Sequence, residues 1–286
     1  MADDMSVAER APERASERSQ RYGTIVVVGG GCYGSYYVRQ LRRAALAGAI
    51  SWDRVLVVDR DPQCALVASA AVSRLTTLSD GIAVVESDWR AFFSSYLRDA
   101  ASDKNGSATD AIVPSPLMPH LMCEWIIERA RERWPDRDVA TRVLGRAPET
   151  PWQRATPDGP HYVSFAVWTC PINCIEPQTC PHTRELRTWS LPSAARAYVE
   201  EEQRGGGLLV GPVIFHCTHR AYGVGMFDTR EVLAGDDFVR SVAEHAAAEV
   251  LVGTMSHCHG AFERLVIGPP LDRGSADSEH LMRLGT

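Results

Sequence analysis

A run of β-branched residues leads directly into a glycine-rich turn near the start of the chain, and this junction limits the possible folds more than any other feature. Thr24–Val28 (TIVVV) is followed by Gly29-x-Gly31-x-x-Gly34 and then by apolar residues at helical spacing. Strand, glycine turn and helix in this order predict a βα unit that binds a nucleotide. In such a unit Gly29 permits a tight turn, Gly31 lets the backbone approach a pyrophosphate, and Gly34 lets the helix pack against the strand.

A second predicted strand, residues 54–61, carries an acidic residue where a nucleotide-binding fold needs one. Asp59 lies 25 positions after Gly34, and a carboxylate there accepts hydrogen bonds from an unphosphorylated ribose. This favours NAD or FAD over NADP, whereas the adjacent Arg60 weakens that preference. We therefore predict a dinucleotide site, with NAD as the cofactor and NADP or FAD as alternatives, formed by Gly29, Gly30, Gly31, Gly34, Asp59 and Arg60.

The segment from Tyr22 to Pro116 resembles the Rossmann NAD-binding domain, particularly the TrkA-N type of nucleotide-sensing and dehydrogenase-like proteins. The resemblance implies a parallel sheet with helices on both faces and a dinucleotide at the carboxyl ends of the strands. One residue departs from the family fingerprint. Tyr37 stands three places after the last glycine, where a small residue is usual, and its ring is expected to change how the first helix lies on the sheet.

The pattern of elements predicts an α/β protein with a Rossmann-like parallel sheet, helices on both its faces, and a smaller α+β domain rich in cysteine and histidine. In the first half, strands and helices alternate, and the second helix is expected to begin at Asp61 and Pro62. In the second half, residues 238–250 read as a helix. The predicted organisation is a disordered tail over 1–21, a Rossmann domain over 22–145, a linker over 146–160, an α+β domain over 161–270 and a tail over 271–286.

The second half contains a proline-rich loop with three cysteines, Cys170, Cys174 and Cys180. Prolines after or between them prevent regular helix or strand, so the backbone can turn three thiolates towards one point. The stretch Cys-Pro-x-x-Cys-x-Glu resembles part of the cysteine loop of ferredoxin-like iron–sulfur proteins, over seven residues, and implies a cluster. Zinc is the alternative, with His182 beside Cys180 in a second ligand pair. Packing or a reactive thiol would leave the loop without metal.

Two further clusters, FHCTH and MSHCHG, place histidines and cysteines in the same half of the chain. Strand alternation puts Cys217 and His219 on one face, and His257 and His259 on one face. A fourth metal ligand is predicted among Cys217, His219 and Cys258. The candidates for proton transfer are His182, His219, His257 and His259.

Composition excludes several chemistries. Of the 30 basic residues only Lys104 is a lysine, so there is no lysine for a Schiff base, a P-loop or a Tyr-x-x-x-Lys pair. The net charge of −6 means that the chain has no excess of basic residues with which to bind nucleic acid. No apolar run approaches the roughly 20 residues of a membrane span, and the charged N-terminus lacks the apolar region of a signal peptide. We expect a cytoplasmic protein, in which cysteines serve as ligands, catalysts or core residues rather than disulfides.

Together these features predict an NAD(H)-binding redox protein, favouring an NAD(P)-dependent oxidoreductase with a thiolate-ligated iron–sulfur or zinc site. Its partners would be the dinucleotide and a small-molecule substrate or an electron-partner protein, and the oligomeric state is open. The alternative is a non-catalytic nucleotide or redox sensor, or a regulatory subunit. A flavoprotein is less favoured, because no strand precedes the Gly-Asp of LAGDDF (233–238). A group transferase is also less favoured, because its loop more often reads G-x-G-x-G.

Overall fold

The chain is a mixed α/β protein. The computed structural model describes residues 19–73, 81–103, 105–157, 159–172 and 174–270, which form two multi-stranded sheets and six helices. No helix in this described part is long and apolar enough to cross a membrane. Residues 1–18 and 271–286, predicted as tails, and Lys104 lie outside it, whereas Gln20 and Arg21 of the first predicted tail belong to a strand.

The strands are β1 (Gln20–Val28), β2 (Ile50–Asp59), β3 (Ile82–Glu86), β4 (Ala111–Val113), β5 (Val139–Arg142), β6 (Trp152–Ala155), β7 (His161–Ser164), β8 (Leu209–His216), β9 (Thr218–Ala221), β10 (Val224–Asp228), β11 (Ala248–Met255) and β12 (His259–Ile267). The helices are α1 (Cys32–Leu46), α2 (Ala65–Ser73), α3 (Trp89–Ser102), α4 (Leu121–Arg133), α5 (Leu191–Arg204) and α6 (Thr229–Ala243).

The first sheet has the strand order β3-β2-β1-β4-β10-β9. Its first four strands are parallel, and β10 and β9 extend it in antiparallel fashion. The chain leaves β1 towards β2 and β3 on one side, and β4 pairs on the other side. The order of connection therefore reverses between β1 and β4, and open α/β sheets bind ligands beyond the carboxyl ends of the strands at such a point.

Alternate residues of β1 pack on different helices. Ile25 and Val27 belong to an apolar cluster with residues of α1 and α2. Val26 and Val28 belong to a second cluster, with residues of α3, α4 and α6. The period of two along a strand thus fixes which helices cover each face of the first sheet.

The second sheet has the order β6-β7-β12-β11-β8, and β5 also pairs with β12. Residues from β8, β11 and β12 share the apolar cluster of α3, α4 and α6, so these helices lie between the two sheets. Helix α5 packs on the opposite face of the second sheet. Each sheet contains strands from both sides of the predicted linker. The first sheet includes β9 and β10, which follow the linker, and the second sheet includes β5, which precedes it. The domain division remains a prediction.

Three element predictions differ from the structure. Helix α2 begins at Ala65 rather than at Pro62, because Asp61 instead forms a turn in which its side chain accepts from Gln63 N and its carbonyl accepts from Cys64 N. Residues 238–250 are not one helix, since α6 ends at Ala243 and β11 begins at Ala248. The linker contains strand β6. In β11, burial of almost every side chain outweighs the helical propensity of the alanine run before it.

Candidate functional site

A cavity of about 390 Å³ lies at the carboxyl end of β4. Its wall comes from several parts of the chain, which are far apart in sequence. They include the first turns of α1, the residues after β4, the cysteine loop (residues 168–189), the β9–β10 hairpin with Cys217 before it, and the β11–β12 turn; Tyr162 of β7 adds to the wall. The side chains discussed below line it: Tyr33, Tyr37, Tyr162, Cys170, Cys174, Glu176, Cys217, His219, Cys258 and His259.

Glu176 is a carboxylate held in place by the protein around it. Its side chain is only 5% exposed. It accepts hydrogen bonds from Ser256 Oγ at 2.6 Å, His257 N at 3.0 Å and Cys258 N at 3.2 Å. Burial alone raises the pKa of a carboxyl, but these bonds and two nearby imidazoles, His219 and His259, hold the pKa of Glu176 below its usual value. The group is therefore ionised at neutral pH.

Two histidines of the cavity wall have fixed tautomers. His219 Nδ1 lies 3.0 Å from the carbonyl oxygen of Gly223, which can only accept, so Nδ1 carries the proton. His259 Nδ1 lies 3.3 Å from Ser164 Oγ, whose own proton goes to the carbonyl of Ala166 at 2.7 Å. Nδ1 of His259 is therefore also the donor. In its neutral form each imidazole keeps Nε2 as a hydrogen-bond acceptor, and His219 Nε2 is 4.0 Å from Glu176 Oε2.

The thiols differ in their readiness to ionise. Burial raises the pKa of Cys217 and of Cys258 to about 12, and it also raises the pKa of Cys170. These thiols line the cavity and are protonated at neutral pH. Outside the cavity wall, backbone N–H groups of Thr183 and His182 lower the pKa of the Cys180 thiol. Such N–H···S contacts stabilise a thiolate.

The glycine turn has the geometry that its sequence predicts. Gly29 has a φ of +86°, which favours glycine. A Cβ on Gly34 would lie 1.7 Å from the carbonyl oxygen of Gly29, whereas a Cβ on Gly31 would meet nothing within 4 Å. Asp59 Oδ2 accepts from Gly30 N at 2.6 Å, so the acidic residue after β2 is tied to the turn. None of these residues belongs to the cavity wall, which reaches α1 only at Tyr33 and Tyr37.

Arg60 is engaged beside the turn. Its guanidinium forms an ion pair with Asp88 and lies 4.7 Å from the centre of the Trp89 ring. Asp88 also caps α3 by accepting from Arg90 N and Ala91 N. The helix cap and the ion pair together direct Arg60 towards α3.

The cavity brings together many, but not all, of the residues predicted for metal binding or proton transfer. Of these, Cys180, His182 and His257 are not part of its wall, and the six that line it are Cys170, Cys174, Cys217, His219, Cys258 and His259. His182 is exposed and stacks on Trp168 at 4.6 Å, while His257 packs edge-on against His216 at 4.7 Å. Within the described residues, no group of three or more His, Cys, Asp or Glu is arranged to hold a metal ion. The metal ligands remain a prediction.

The wall residues that were not predicted as site residues include Glu176 and three tyrosines, Tyr33, Tyr37 and Tyr162. Glu176 is the glutamate of Cys-Pro-x-x-Cys-x-Glu, so its place in that motif could have identified it as a site residue. Its φ of +50°, unusual for a residue with a side chain, shows that the loop is bent at this point. Tyr37, noted as an exception to the fingerprint, occupies its position by packing on the α1–α2 cluster beside the cavity.

The fold and the cavity define a two-sheet α/β chain with thiols, imidazoles and one carboxylate at a shared site. A family model described as AF_1314_C, "Uncharacterized protein, C-terminal domain", matches residues 122–268, just over half of the chain. The chain belongs to this family. The match includes Glu176 and His219 but not the glycine turn. Comparisons with curated proteins and with solved structures find no match.

Proposed function

We propose that this protein is an NAD(H)-binding oxidoreductase whose substrate occupies the cavity beside α1. The observation that carries the proposal is the position of that cavity. It lies beyond the carboxyl end of β4 and reaches the first turn of α1, next to the glycine turn. A dinucleotide with its pyrophosphate at the turn would extend towards this point in a Rossmann-like arrangement.

The glycine turn fits a dinucleotide. The open space beside Gly31 leaves room for a pyrophosphate, and the N-cap Gly31 places no side chain over the first N–H groups of α1. Asp59 lies beside the turn, where it can accept from a ribose hydroxyl while keeping its bond to Gly30 N. When bound, the nicotinamide ring supplies a hydride donor or acceptor.

NAD(H) is favoured over NADP(H). A ribose 2′-phosphate next to Asp59 would meet a like charge. Arg60, the nearest residue in sequence that could offset this repulsion, pairs with Asp88 and packs on Trp89 instead. A thiolate-ligated iron–sulfur or zinc site is a separate prediction. It would require Cys180 to approach Cys170 and Cys174 at the cavity.

Substitution of Gly31 by tryptophan tests the dinucleotide site. An indole would fill the space proposed for the pyrophosphate, so we expect Gly31→Trp to weaken NAD(H) binding by about a hundredfold or more in isothermal titration calorimetry. Gly145→Trp is the matched control, because Gly145 is also exposed and a Cβ on it would meet nothing within 4 Å. Its NAD(H) affinity should equal that of the unsubstituted protein.

Two results would redirect the proposal. Equal NAD(H) affinity in Gly31→Trp and Gly145→Trp would remove the dinucleotide site from the glycine turn. Tight NAD(H) binding without oxidation of NADH by any acceptor would favour the non-catalytic sensor instead.

A further inference from the structure

We propose that the cavity binds the primary ammonium group of a small organic molecule, held between Glu176 Oε2 and His219 Nε2. The inference rests on the proposed function, since it names the substrate class of the same site. It is carried by three properties of the cavity wall: the spacing of two acceptors, their fixed orientation and the sign of the charge.

The spacing selects a group with two hydrogens on one atom. Glu176 Oε2 and His219 Nε2 are 4.0 Å apart, so a nitrogen about 2.9 Å from each can reach both. An ammonium or amide nitrogen donates one hydrogen to each acceptor. A hydroxyl has one hydrogen and would leave either the carboxylate or the imidazole without a donor.

The orientation of both acceptors is fixed by the protein. His219 is held by its Nδ1 bond to the carbonyl of Gly223, which leaves Nε2 of the neutral ring to accept. Glu176 is held by Ser256 and by the backbone of His257 and Cys258. A site built in advance of its ligand loses less entropy on binding.

The charge selects a cation over an amide. Glu176 accepts three hydrogen bonds from O–H and N–H groups, as a carboxylate does, and the residues that line the cavity include no lysine and no arginine. A carboxylate or phosphate ligand would therefore meet repulsion without a counter-charge. Tyr33 and Tyr37 also line the cavity, and aromatic rings attract cations.

The same spacing disfavours zinc at these two atoms. Tetrahedral Zn²⁺ with nitrogen and oxygen ligands at about 2.0–2.2 Å brings those ligands to about 3.4 Å from each other. The 4.0 Å separation is wider. It suits a hydrogen-bonded nitrogen without rearrangement of the wall.

Four probes of one size separate these cases: benzylammonium, benzamide, benzyl alcohol and benzoate. Binding to the chelator-treated, full-length protein without nucleotide is measured by calorimetry at neutral pH. We expect benzylammonium to bind about tenfold more tightly than benzamide or benzyl alcohol, and benzoate not to bind. Equal affinity for benzylammonium and benzamide, or tighter binding of benzoate, would overturn the proposal.

Two variants locate the ammonium. Glu176→Gln removes the charge, and His219→Asn removes the Nε2 acceptor while its amide can still donate to Gly223. Each should weaken benzylammonium by about tenfold and leave benzyl alcohol within about twofold. The exposed His245→Asn is the control and should change nothing. If Glu176→Gln does not fold, His219→Asn decides alone, and unchanged benzylammonium affinity in it rules the site out.

NAD(H) affinity, measured on the same variants, separates the two proposals. Retained NAD(H) binding with no benzylammonium binding in any form of the protein would refute the ammonium site alone. Benzylammonium binding without NAD(H) binding would instead refute the dinucleotide proposal.

Discussion

Glu263 is a carboxyl group placed in the apolar core between α4 and β12. It is 8% exposed, and its Oε2 has no hydrogen-bond partner within the described part of the chain. The carboxyl group forms a hydrogen bond with the buried thiol of Cys123 on α4. Burial raises the pKa of Glu263 above its ordinary value, so the folded protein favours the protonated form.

We expect Glu263→Gln to flatten the dependence of stability on pH. A carboxyl whose folded pKa is raised contributes stability below its unfolded pKa, about 4.3, and loses it as the pH rises through the folded value. The unsubstituted protein should therefore lose more unfolding free energy than Glu263→Gln between about pH 4 and pH 8. Urea unfolding at several pH values measures this. If both proteins lose the same unfolding free energy over this pH range, Glu263 ionises in the folded state without cost. The control is Glu244→Gln at an exposed position, which should show the same pH dependence as the unsubstituted protein.

For individual residues, the sequence predicts which residue types form the site better than it predicts which groups they contact. Six predicted cysteines and histidines line one cavity, because strand alternation and loop irregularity follow from local sequence. Glu176 was not predicted, since its role depends on bonds to Ser256, His257 and Cys258, some 80 positions away. His182 was proposed from its place beside Cys180, but the turn directs it outward onto Trp168.

Helices α4 and α6 are joined by an ion pair whose acidic member comes from the Gly-Asp considered for flavin binding. Asp236 lies within the continuous helix α6. Arg133 Nη2 donates to its Oδ2 at 2.8 Å, with side-chain exposures of 20% and 12%. A charge this poorly hydrated is costly once its partner is removed.

We expect Asp236→Ala to destabilise the protein by about 1–3 kcal/mol, because Arg133 would lose its partner near the core. Asp237→Ala is the neighbouring control. Asp237 is 56% exposed and pairs with Arg240 on the same helix, so its loss should cost within about 0.5 kcal/mol. Chemical denaturation of both variants gives the comparison. Equal effects would mean that the α4–α6 ion pair adds nothing beyond helix propensity.

Strands with strong local signals are predicted from the sequence, whereas β11 and the place of β10 depend on distant pairing. Strands β1 to β4 follow from short apolar runs beside glycine, proline or aspartate. Strand β11 follows an alanine-rich segment that reads as helix, and only pairing with β8 and β12 makes it a strand. That β10 joins the first sheet depends on its pairing with β4, more than 100 positions earlier.

Across the whole molecule, the two sheets share one apolar core. Helices α3, α4 and α6 lie between them, and the cluster around these helices includes Ile112 of the first sheet with Val252 and Leu265 of the second. The two sheets are also linked through the chain, because each contains strands from both halves of the sequence: β9 and β10 belong to the first sheet, and β5 belongs to the second. A fragment ending at residue 145 would lack two strands of the first sheet and expose the helix faces that cover the second.

We therefore expect the chain to unfold in a single cooperative transition, although its sequence suggests two domains. Calorimetric and van't Hoff enthalpies should agree, and near-UV and far-UV dichroism should change together. Val252→Ala removes two methyl groups from the core between the sheets. It should lower the unfolding midpoint of every signal by the same amount, because the shared core transmits the loss of stability to the first sheet. Two separated transitions, or a fragment of residues 19–145 with native near-UV dichroism, would show instead that each sheet is stable alone. The cavity would then be a cleft between two domains able to move apart, rather than a site whose acceptors are held 4.0 Å apart by one rigid core.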